Sequence, residues 1–230
     1  MMKRILLSSA FVAFAWVLTA QTIVDMSQAF EVPEKYIDLN EPATVKGGVV
    51  FVGDTREADK ITDGKYKGMR VQRQSRFYKV GGKTVKYGTS LLFRRAPQGA
   101  TKDHKVDVNL VPRSCMIQLK PASSGQFSFC ALTNKPEGNN IYIAVVNGAT
   151  FRPLATLSYS KGDENYARKK DSPAEVKVCD YTCSEGDEVW IYSDGSINLH
   201  AFSFSGQIDK AFTGSDPVEV SKAVRRAQKK

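Results

Sequence analysis

The chain has few of the residues that metal binding and nucleophilic catalysis require. Two histidines, His104 and His200, and four cysteines are present among 230 residues. Neither the histidines nor the pair Cys179 and Cys183 builds a familiar zinc pattern. Motifs of the G-x-S-x-G, P-loop and G-x-G-x-x-G types are absent from the sequence. The sequence therefore predicts no catalytic residue, no metal site and no cofactor, while a structural calcium ion is compatible with it.

Long apolar runs are also scarce, and the one that stands out lies at the N-terminus. Lys3 and Arg4 precede an apolar segment at 5–18, which is the pattern of charge and hydropathy of an export signal. A membrane span needs about 20 predominantly apolar residues, and this segment is shorter. We therefore expect a signal-peptide helix at 1–20 that is cleaved at its end, with 29 as the alternative end.

Export sets expectations for location and partners. The mature protein is expected to be secreted, periplasmic or at the cell surface, without stable membrane insertion after cleavage. Export also permits a disulfide between Cys179 and Cys183, with free thiols as an equal alternative. Acidic residues number 24 against 33 basic ones, which gives a net charge of +9. Such an excess suits anionic partners but more often only maintains solubility; nucleic acid is not a predicted partner, and a protein partner is left open.

Helical periodicity is almost absent beyond residue 36, where short β-rich runs alternate with turn residues. The segment 49–52 lies between glycine-containing turns and is typical of a buried strand. Further strands are predicted at 68–80, 84–94, 106–111, 115–120, 126–132, 141–146, 154–159, 175–178, 188–193 and 197–205. Their number and spacing predict an all-β fold, an antiparallel β-sandwich or jelly roll.

The strand pattern also suggests how the chain is divided. After the signal peptide, we expect an N-terminal lead-in at 21–44, the β-sandwich domain at 45–206 and a basic C-terminal tail at 207–230. The tail either forms a short basic helix or frays, and fraying is the default for a chain terminus.

Two tight hairpins are predicted within the sandwich. Asp194-Gly195 is expected to join the strands on either side of it, because a type I′ turn needs positive φ at both central residues. In the second hairpin, Ile117 is expected opposite Phe129, since that register collects apolar side chains on one face. Cys115 falls on the same apolar face and is expected in the core.

Four side chains of the Asp-Gly hairpin are candidates for ligand binding: Trp190, Tyr192, Asn198 and His200. Aromatic faces and planar polar groups are the side chains that bind sugars. The alternative for the two aromatic rings is the second face of a buried strand, and for His200 a hydrogen-bonded strand histidine. Arg73 and Arg76 are candidates for an acidic glycan, with solvated edge charges as the alternative.

The sequence at 61–69, 87–94, 141–145 and 189–199 resembles the galactose-binding-like jelly-roll domains of exported Bacteroidetes proteins. Those domains are similar to carbohydrate-binding modules found beside pectate lyases, and the resemblance spans about 45–206. It implies a secreted noncatalytic domain that binds carbohydrate, including acidic polysaccharide as a candidate. A structural or protein-interaction role at the cell surface is the alternative, and a polysaccharide hydrolase or lyase is the third hypothesis.

Overall fold

A computed structural model describes residues 21–32, 35–39, 43–53, 69–93, 107, 109–169 and 172–229. The predicted signal peptide and His104 lie outside these residues. The helices in the described part are α1 Met26–Ala29 and α2 Pro217–Ala227. The strands are β1 Thr22–Asp25, β2 Tyr36–Leu39, β3 Thr44–Lys46, β4 Val49–Val52, β5 Met69–Val80, β6 Lys83–Phe93, β7 Met116–Leu119, β8 Gly125–Thr133, β9 Asn139–Asn147, β10 Thr150–Tyr159, β11 Ala174–Glu175, β12 Lys177–Tyr181, β13 Glu188–Ser193 and β14 Ile197–Phe204.

These strands form two sheets, which confirms the predicted all-β sandwich. The large sheet has eight strands in the order β11-β5-β6-β14-β8-β12, with β1 paired to β14 and β2 paired to β5. The small sheet has six strands in the order β10-β9-β13-β7-β4-β3. Pairing is antiparallel except between β11 and β5. No helix in the described part of the chain is long and apolar enough to cross a membrane.

The main core lies between the two sheets. Strand alternation turns every second side chain of β8 inward, so that Phe127 and Phe129 are fully buried. Phe127 stacks on Phe204 of β14 with ring centroids 4.4 Å apart. The small sheet contributes apolar residues such as Phe51 and Ile117 to the same cluster. Each large side chain buried here stabilises the sandwich by about 1.5–3 kcal/mol.

The Asp-Gly hairpin predicted from the sequence is wrong, because the strands it joins belong to different sheets. β13 pairs with β7 and β9, whereas β14 pairs with β6 and β8. Asp194 and Gly195 form the corner between the sheets, where Asp194 Oδ1 accepts a hydrogen bond from the Asn140 backbone N–H at 2.7 Å. An added Cβ at Gly195 would overlap the side-chain oxygen of Asn139, so another residue here would displace the Asn139 side chain. The role of Gly195 is close approach and not a positive φ.

The second predicted hairpin is wrong for the same reason. β7 pairs with β4 and β13 in the small sheet, and β8 pairs with β12 and β14 in the large sheet. Ile117 and Phe129 both point into the main core, but from opposite sheets. Alternation therefore predicted the correct face of each strand and not its partner.

Both ends of the described chain are packed against the sandwich. β1 and β2, from the segment predicted as a lead-in, pair with β14 and β5. In the tail, the Asp216 side chain accepts a hydrogen bond from the Val218 N–H and Pro217 occupies the first turn, so that α2 begins with a standard N-cap. Val224 of α2 is 5% exposed and belongs to a second apolar cluster. The expected fraying is therefore wrong for 217–227.

Candidate functional site

The outer face of the small sheet is covered by the C-terminal segment. Trp190 and Tyr192 project onto this face and are fully buried there. The C-terminal residues Phe212, Val220 and Val224 pack against the same cluster. This agrees with the core alternative for the two rings. A side chain without accessible surface cannot contact a ligand in this structure, so the ligand-binding role predicted for Trp190 and Tyr192 is not supported by their positions.

A buried glutamine fixes the C-terminal segment to the small sheet. Gln118 of β7 donates from Nε2 to the Ser215 carbonyl at 3.1 Å and accepts at Oε1 from the Ser215 N–H at 3.0 Å. Ser215 Oγ also donates to Glu188 Oε1 at 2.6 Å. A Cβ at Gly214 would lie 2.9 Å from Gln118 Oε1 and 3.0 Å from Val50 Cγ1, so only glycine allows this close approach. The segment is thus held by hydrogen bonds as well as by apolar contacts.

The outer face of the large sheet brings together three of the predicted site residues: Asn198, His200 and Arg76. Around Asn198 lies a row of amide side chains linked by hydrogen bonds. Gln72 Nε2 donates to Asn198 Oδ1 at 2.9 Å, and Ser90 Oγ lies 2.9 Å from Gln74 Oε1 and 3.4 Å from Asn198 Oδ1. We call Gln72, Gln74 and Asn198 the amide row.

Each amide of the row is fixed at one end and unused at the other. Asn198 is fully buried, and its Nδ2 has no hydrogen-bond partner. Among the described residues no protein partner is found for Gln72 Oε1 or Gln74 Nε2, and both glutamines are half-buried. Buried amides are normally satisfied, so free donors and acceptors held in one place are typical of a recognition surface.

An exposed tyrosine lies beside the amide row. Tyr36 of β2 is paired in register with Gln72 and is 44% exposed. The guanidinium carbon of Arg70 lies 3.8 Å from the centre of the Tyr36 ring. Arg70 also donates from Nε to Asp38 Oδ1 at 2.6 Å. The Arg70 guanidinium therefore contacts both the Tyr36 ring and the Asp38 carboxylate at the edge of the sheet.

His200 occupies a buried position where both ring nitrogens are engaged. Nε2 lies 3.1 Å from the Gln74 carbonyl, which only accepts, so Nε2 carries the proton; Nδ1, 2.9 Å away, then accepts from Tyr78 Oη–H. Burial lowers the pKa of His200 to about 4. The chain has β-bulges at this point in β5 and in β14, and the neutral imidazole connects them. This matches the predicted alternative of a hydrogen-bonded strand histidine.

The two predicted arginines have different environments. Arg76 is 6% exposed, and its Nη2 donates to the Glu164 carbonyl at 3.1 Å, so a ligand does not reach it. Arg73 is exposed, and its Nε and Nη2 lie 3.2 and 2.9 Å from the Val32 carbonyl. Arg73 therefore holds the segment after α1 against β5.

The cysteines do not form the predicted bridge. All four thiols are free in the structure, including Cys179 and Cys183. Cys179 Sγ contacts the Asp180 carbonyl at 3.4 Å, and Cys183 Sγ contacts the Pro121 carbonyl at 3.7 Å. The thiols of Cys179 and Cys183 thus each contact a nearby backbone oxygen and not each other. Cys115 is fully buried in the main core, in agreement with the sequence.

Two further features concern ligand and metal binding: a cleft beside α2 and the placement of metal-ligating side chains. A cleft of about 450 Å³ lies between the small sheet and the start of α2, and its lining includes Val50, Val52 and Arg113. The described residues that line it include no aromatic side chain of the kind that sugar recognition commonly uses. Within the described residues, no group of three or more His, Cys, Asp or Glu side chains is arranged to hold a metal ion.

Sequence reasoning missed Tyr36, Gln72 and Gln74. The alternation of Gln72 and Gln74 along β5 is visible in the sequence and places both side chains on one face. Asn198, the hydrogen-bonded partner of Gln72, is 126 positions away in the sequence, however, and no local signal connects the two.

Comparison with known proteins does not assign the chain to a family. No family model and no curated protein matches it. Among solved structures, it is similar to one from a study of the Ruminococcus flavefaciens cellulosome and its expansion in glycan recognition, with 7% identity, a TM-score of 0.35 and coverage of 81% of this chain and 93% of that one.

Two further solved structures are similar over most of their length. One is a family 6 carbohydrate-binding module studied for its binding subsites, with 11% identity, a TM-score of 0.31 and coverage of 81% of this chain and 94% of that one. The other is the K2 cleaved adhesin domain of Lys-gingipain, with 13% identity, a TM-score of 0.37 and coverage of 80% and 99%. Sequence identities and TM-scores this low carry no argument about function, which has to be inferred from the geometry of the site.

Proposed function

We propose that the chain is an exported, noncatalytic carbohydrate-binding domain whose binding site is the amide row beside Tyr36. The observation that carries the proposal is the set of unused amide groups on the outer face of the large sheet. A sugar hydroxyl both donates and accepts hydrogen bonds, and an amide offers a donor and an acceptor in one plane. Gln72 Oε1 and Gln74 Nε2 supply one of each at the half-buried surface.

The hydrogen bonds within the row favour binding through preorganisation. Ser90 holds Gln74, and Asn198 holds Gln72, so the rotamers of both glutamines are fixed before a ligand arrives. Ordering a glutamine side chain on binding otherwise costs about 0.5–1.5 kcal/mol. The network removes much of that cost.

Tyr36 supplies the apolar part of the proposed site. Side chains paired across two antiparallel strands have Cβ atoms about 4.5–5.5 Å apart, which puts the Tyr36 ring next to the Gln72 amide. An exposed ring at this distance suits the apolar face of a pyranose while the amides bind its hydroxyls.

The chemistry next to the row favours binding without bond cleavage. His200 has no free ring nitrogen and is neutral above pH 4, so it is not placed to act as a base. The neighbouring carboxylate, Asp38, is held by Arg70. Glycoside hydrolysis uses a pair of carboxyl groups on either side of the bond, whereas both oxygens of Asp38 are engaged by Arg70.

The amide row is tested by a double variant, Gln72→Ala with Gln74→Ala, and by Tyr36→Ala. Loss of two hydrogen bonds is expected to weaken the best ligand from a glycan array about tenfold or more, because each contributes roughly 1 kcal/mol. Gln126→Ala is the matched control, since Gln126 is an exposed glutamine on the same sheet. Affinity electrophoresis or calorimetry measures the change.

Two results would contradict the proposal. If the wild-type protein binds no glycan but captures one defined protein from envelope extracts, the protein-interaction alternative replaces it. Equal affinities for wild type and the double variant would place carbohydrate binding elsewhere on the molecule.

Export is tested at the N-terminus of the mature protein. Cleavage after Ala20 leaves the whole sandwich, whereas cleavage after Ala29 would remove β1 and the fully buried Met26. We expect the intact mass of protein secreted from a Gram-negative host to correspond to a chain that begins at Gln21. A mass that corresponds to a chain beginning at Met1 or at Phe30 would contradict this expectation.

A further inference from the structure

The positive charge of the molecule is concentrated on one hairpin. The strands β5 and β6 with their turn, residues 69–93, contain no acidic residue and account for six of the nine net positive charges. The six basic residues are Arg70, Arg73, Arg76, Lys79, Lys83 and Lys86. An excess of one sign on a single hairpin creates a local field that attracts anions.

The basic residues of this hairpin divide into an engaged and a free group. The three arginines, near the body of the sandwich, bind Asp38 and the carbonyls of Val32 and Glu164. Lys79, Lys83 and Lys86, near the turn, are exposed, and no ion pair or hydrogen bond from their ammonium groups is found in the described part of the protein. An exposed lysine without an ion pair binds an anion without first breaking an existing ion pair, although ordering its side chain costs about 0.5–1.5 kcal/mol.

An exposed aromatic ring lies among these lysines. Phe77 is 47% exposed and is paired in register with Lys86, whose Nζ is 5.8 Å from the ring centre. Lys79 is two residues further along the strand and projects from the same face, about 7 Å away. We call Phe77, Lys79, Lys83 and Lys86 the hairpin patch. Phe77, Lys79 and Lys86 lie on the opposite face of β5 from the amide row, because Tyr78 points toward His200. Lys83 is paired in register with Val80 at the turn and projects from the other face of the hairpin.

Neighbouring acids do not neutralise the patch. Glu175 of β11 is paired in register with Lys79 but makes no ion pair with it. Glu164 is already bound by Lys169 and by Ser172. Lys79 thus interacts with Glu164, which Lys169 already binds, and lies beside Glu175, while the three lysines of the hairpin outnumber these acids and leave it positive.

We propose that the hairpin patch binds an acidic polysaccharide, a chain that carries uronate or sulfate groups. A stable aromatic face between ammonium groups matches a sugar ring whose substituents are anionic, since the ring packs on Phe77 while Lys79 and Lys86 bind the anions. Lys83, at the turn, projects from the other face of the hairpin and adds to the positive field around its tip. The patch is a second surface, independent of the amide row.

The patch is tested with the triple variant Lys79→Gln, Lys83→Gln and Lys86→Gln. The ligands are polygalacturonate, alginate and chondroitin sulfate, with double-stranded DNA and phosphatidylserine vesicles as other polyanions. We expect the affinity for at least one polysaccharide to fall about tenfold, and its salt dependence to decrease, as three exposed charge pairs are lost. Phe77→Ala is expected to weaken the same polysaccharide without affecting DNA.

The matched control is the triple variant Lys120→Gln, Lys210→Gln and Lys229→Gln, which removes the same charge from outside the β5–β6 hairpin. Equal losses in both triple variants would overturn the proposal, because only net charge would matter. It is also overturned if no acidic polysaccharide binds, or if DNA or vesicles bind as tightly and depend equally on the three lysines. Variants of the amide row are expected to keep this binding, so that failure of one surface is distinguishable from failure of the other.

Discussion

Replacing Trp190 by alanine is expected to lower the free energy of unfolding by about 3–5 kcal/mol, the range for a large aromatic side chain removed from a packed interior. The indole is fully buried, lies 6.5 Å from the Phe151 ring and donates from Nε1 to Glu188 Oε2 at 3.2 Å. Both the cavity and the lost hydrogen bond contribute. Urea denaturation followed by circular dichroism measures the change.

The control for this substitution is Phe77→Ala, which removes a ring that is 47% exposed. Its effect on stability is expected to stay below about 1 kcal/mol, because little packing is lost at a surface position. If Trp190→Ala left stability unchanged, the C-terminal segment would not be packed on the small sheet as described. Weaker glycan binding by Trp190→Ala would report unfolding and not a direct contact.

The second large effect is a loss of stability in acid that depends on His200. Burial lowers the pKa of His200 in the folded protein to about 4, against 6.5 for an exposed histidine. Between these values the unfolded chain binds a proton that the folded chain does not, so stability rises with pH in this window. As the pH falls from 6.5 to 4, the folded state is expected to lose on the order of 3 kcal/mol, and there is no contribution from this group above that window.

The loss of stability is measured as the difference in unfolding free energy between pH 7 and pH 4.5. His200→Gln keeps a polar side chain next to Tyr78 and Gln74 but does not titrate, so the variant is expected to be less stable at pH 7 and to lose less on acidification. An identical pH dependence in His200→Gln and the wild type would contradict the assignment of the buried neutral imidazole.

The sequence was sufficient to locate most of the predicted strands and their faces. The strand predicted at 106–111 is wrong, because its described residues, 107 and 109–111, form a turn and irregular chain. The predicted segment 49–52 coincides with β4, and alternation correctly turned Phe127, Phe129 and Ile117 toward the core. It was not sufficient for strand partners. Alternation is a property of one strand, whereas pairing depends on the other strands available in three dimensions. The composition of the Asp194-Gly195 turn is the same whether the next strand folds back or crosses to the other sheet.

The candidate site shows the same limit more strongly. Asn198 and His200 were identified from their strand, but the amides that complete the row come from β5, and Tyr36 comes from a segment treated as a lead-in. The burial of Trp190 was equally nonlocal, since it depends on a C-terminal helix for which fraying was expected. Long-range packing decides which polar strand residues meet and which aromatic rings stay accessible.

The outer faces of the two sheets differ in what covers them, which affects how the protein is attached to a surface. The helix α2 lies over the small sheet, and the amide row lies on the outer face of the large sheet. A bead, a dye or a fused domain joined after Ala227 therefore sits on the back of the molecule. Immobilisation through that end leaves Tyr36 and its neighbouring amides facing the solution.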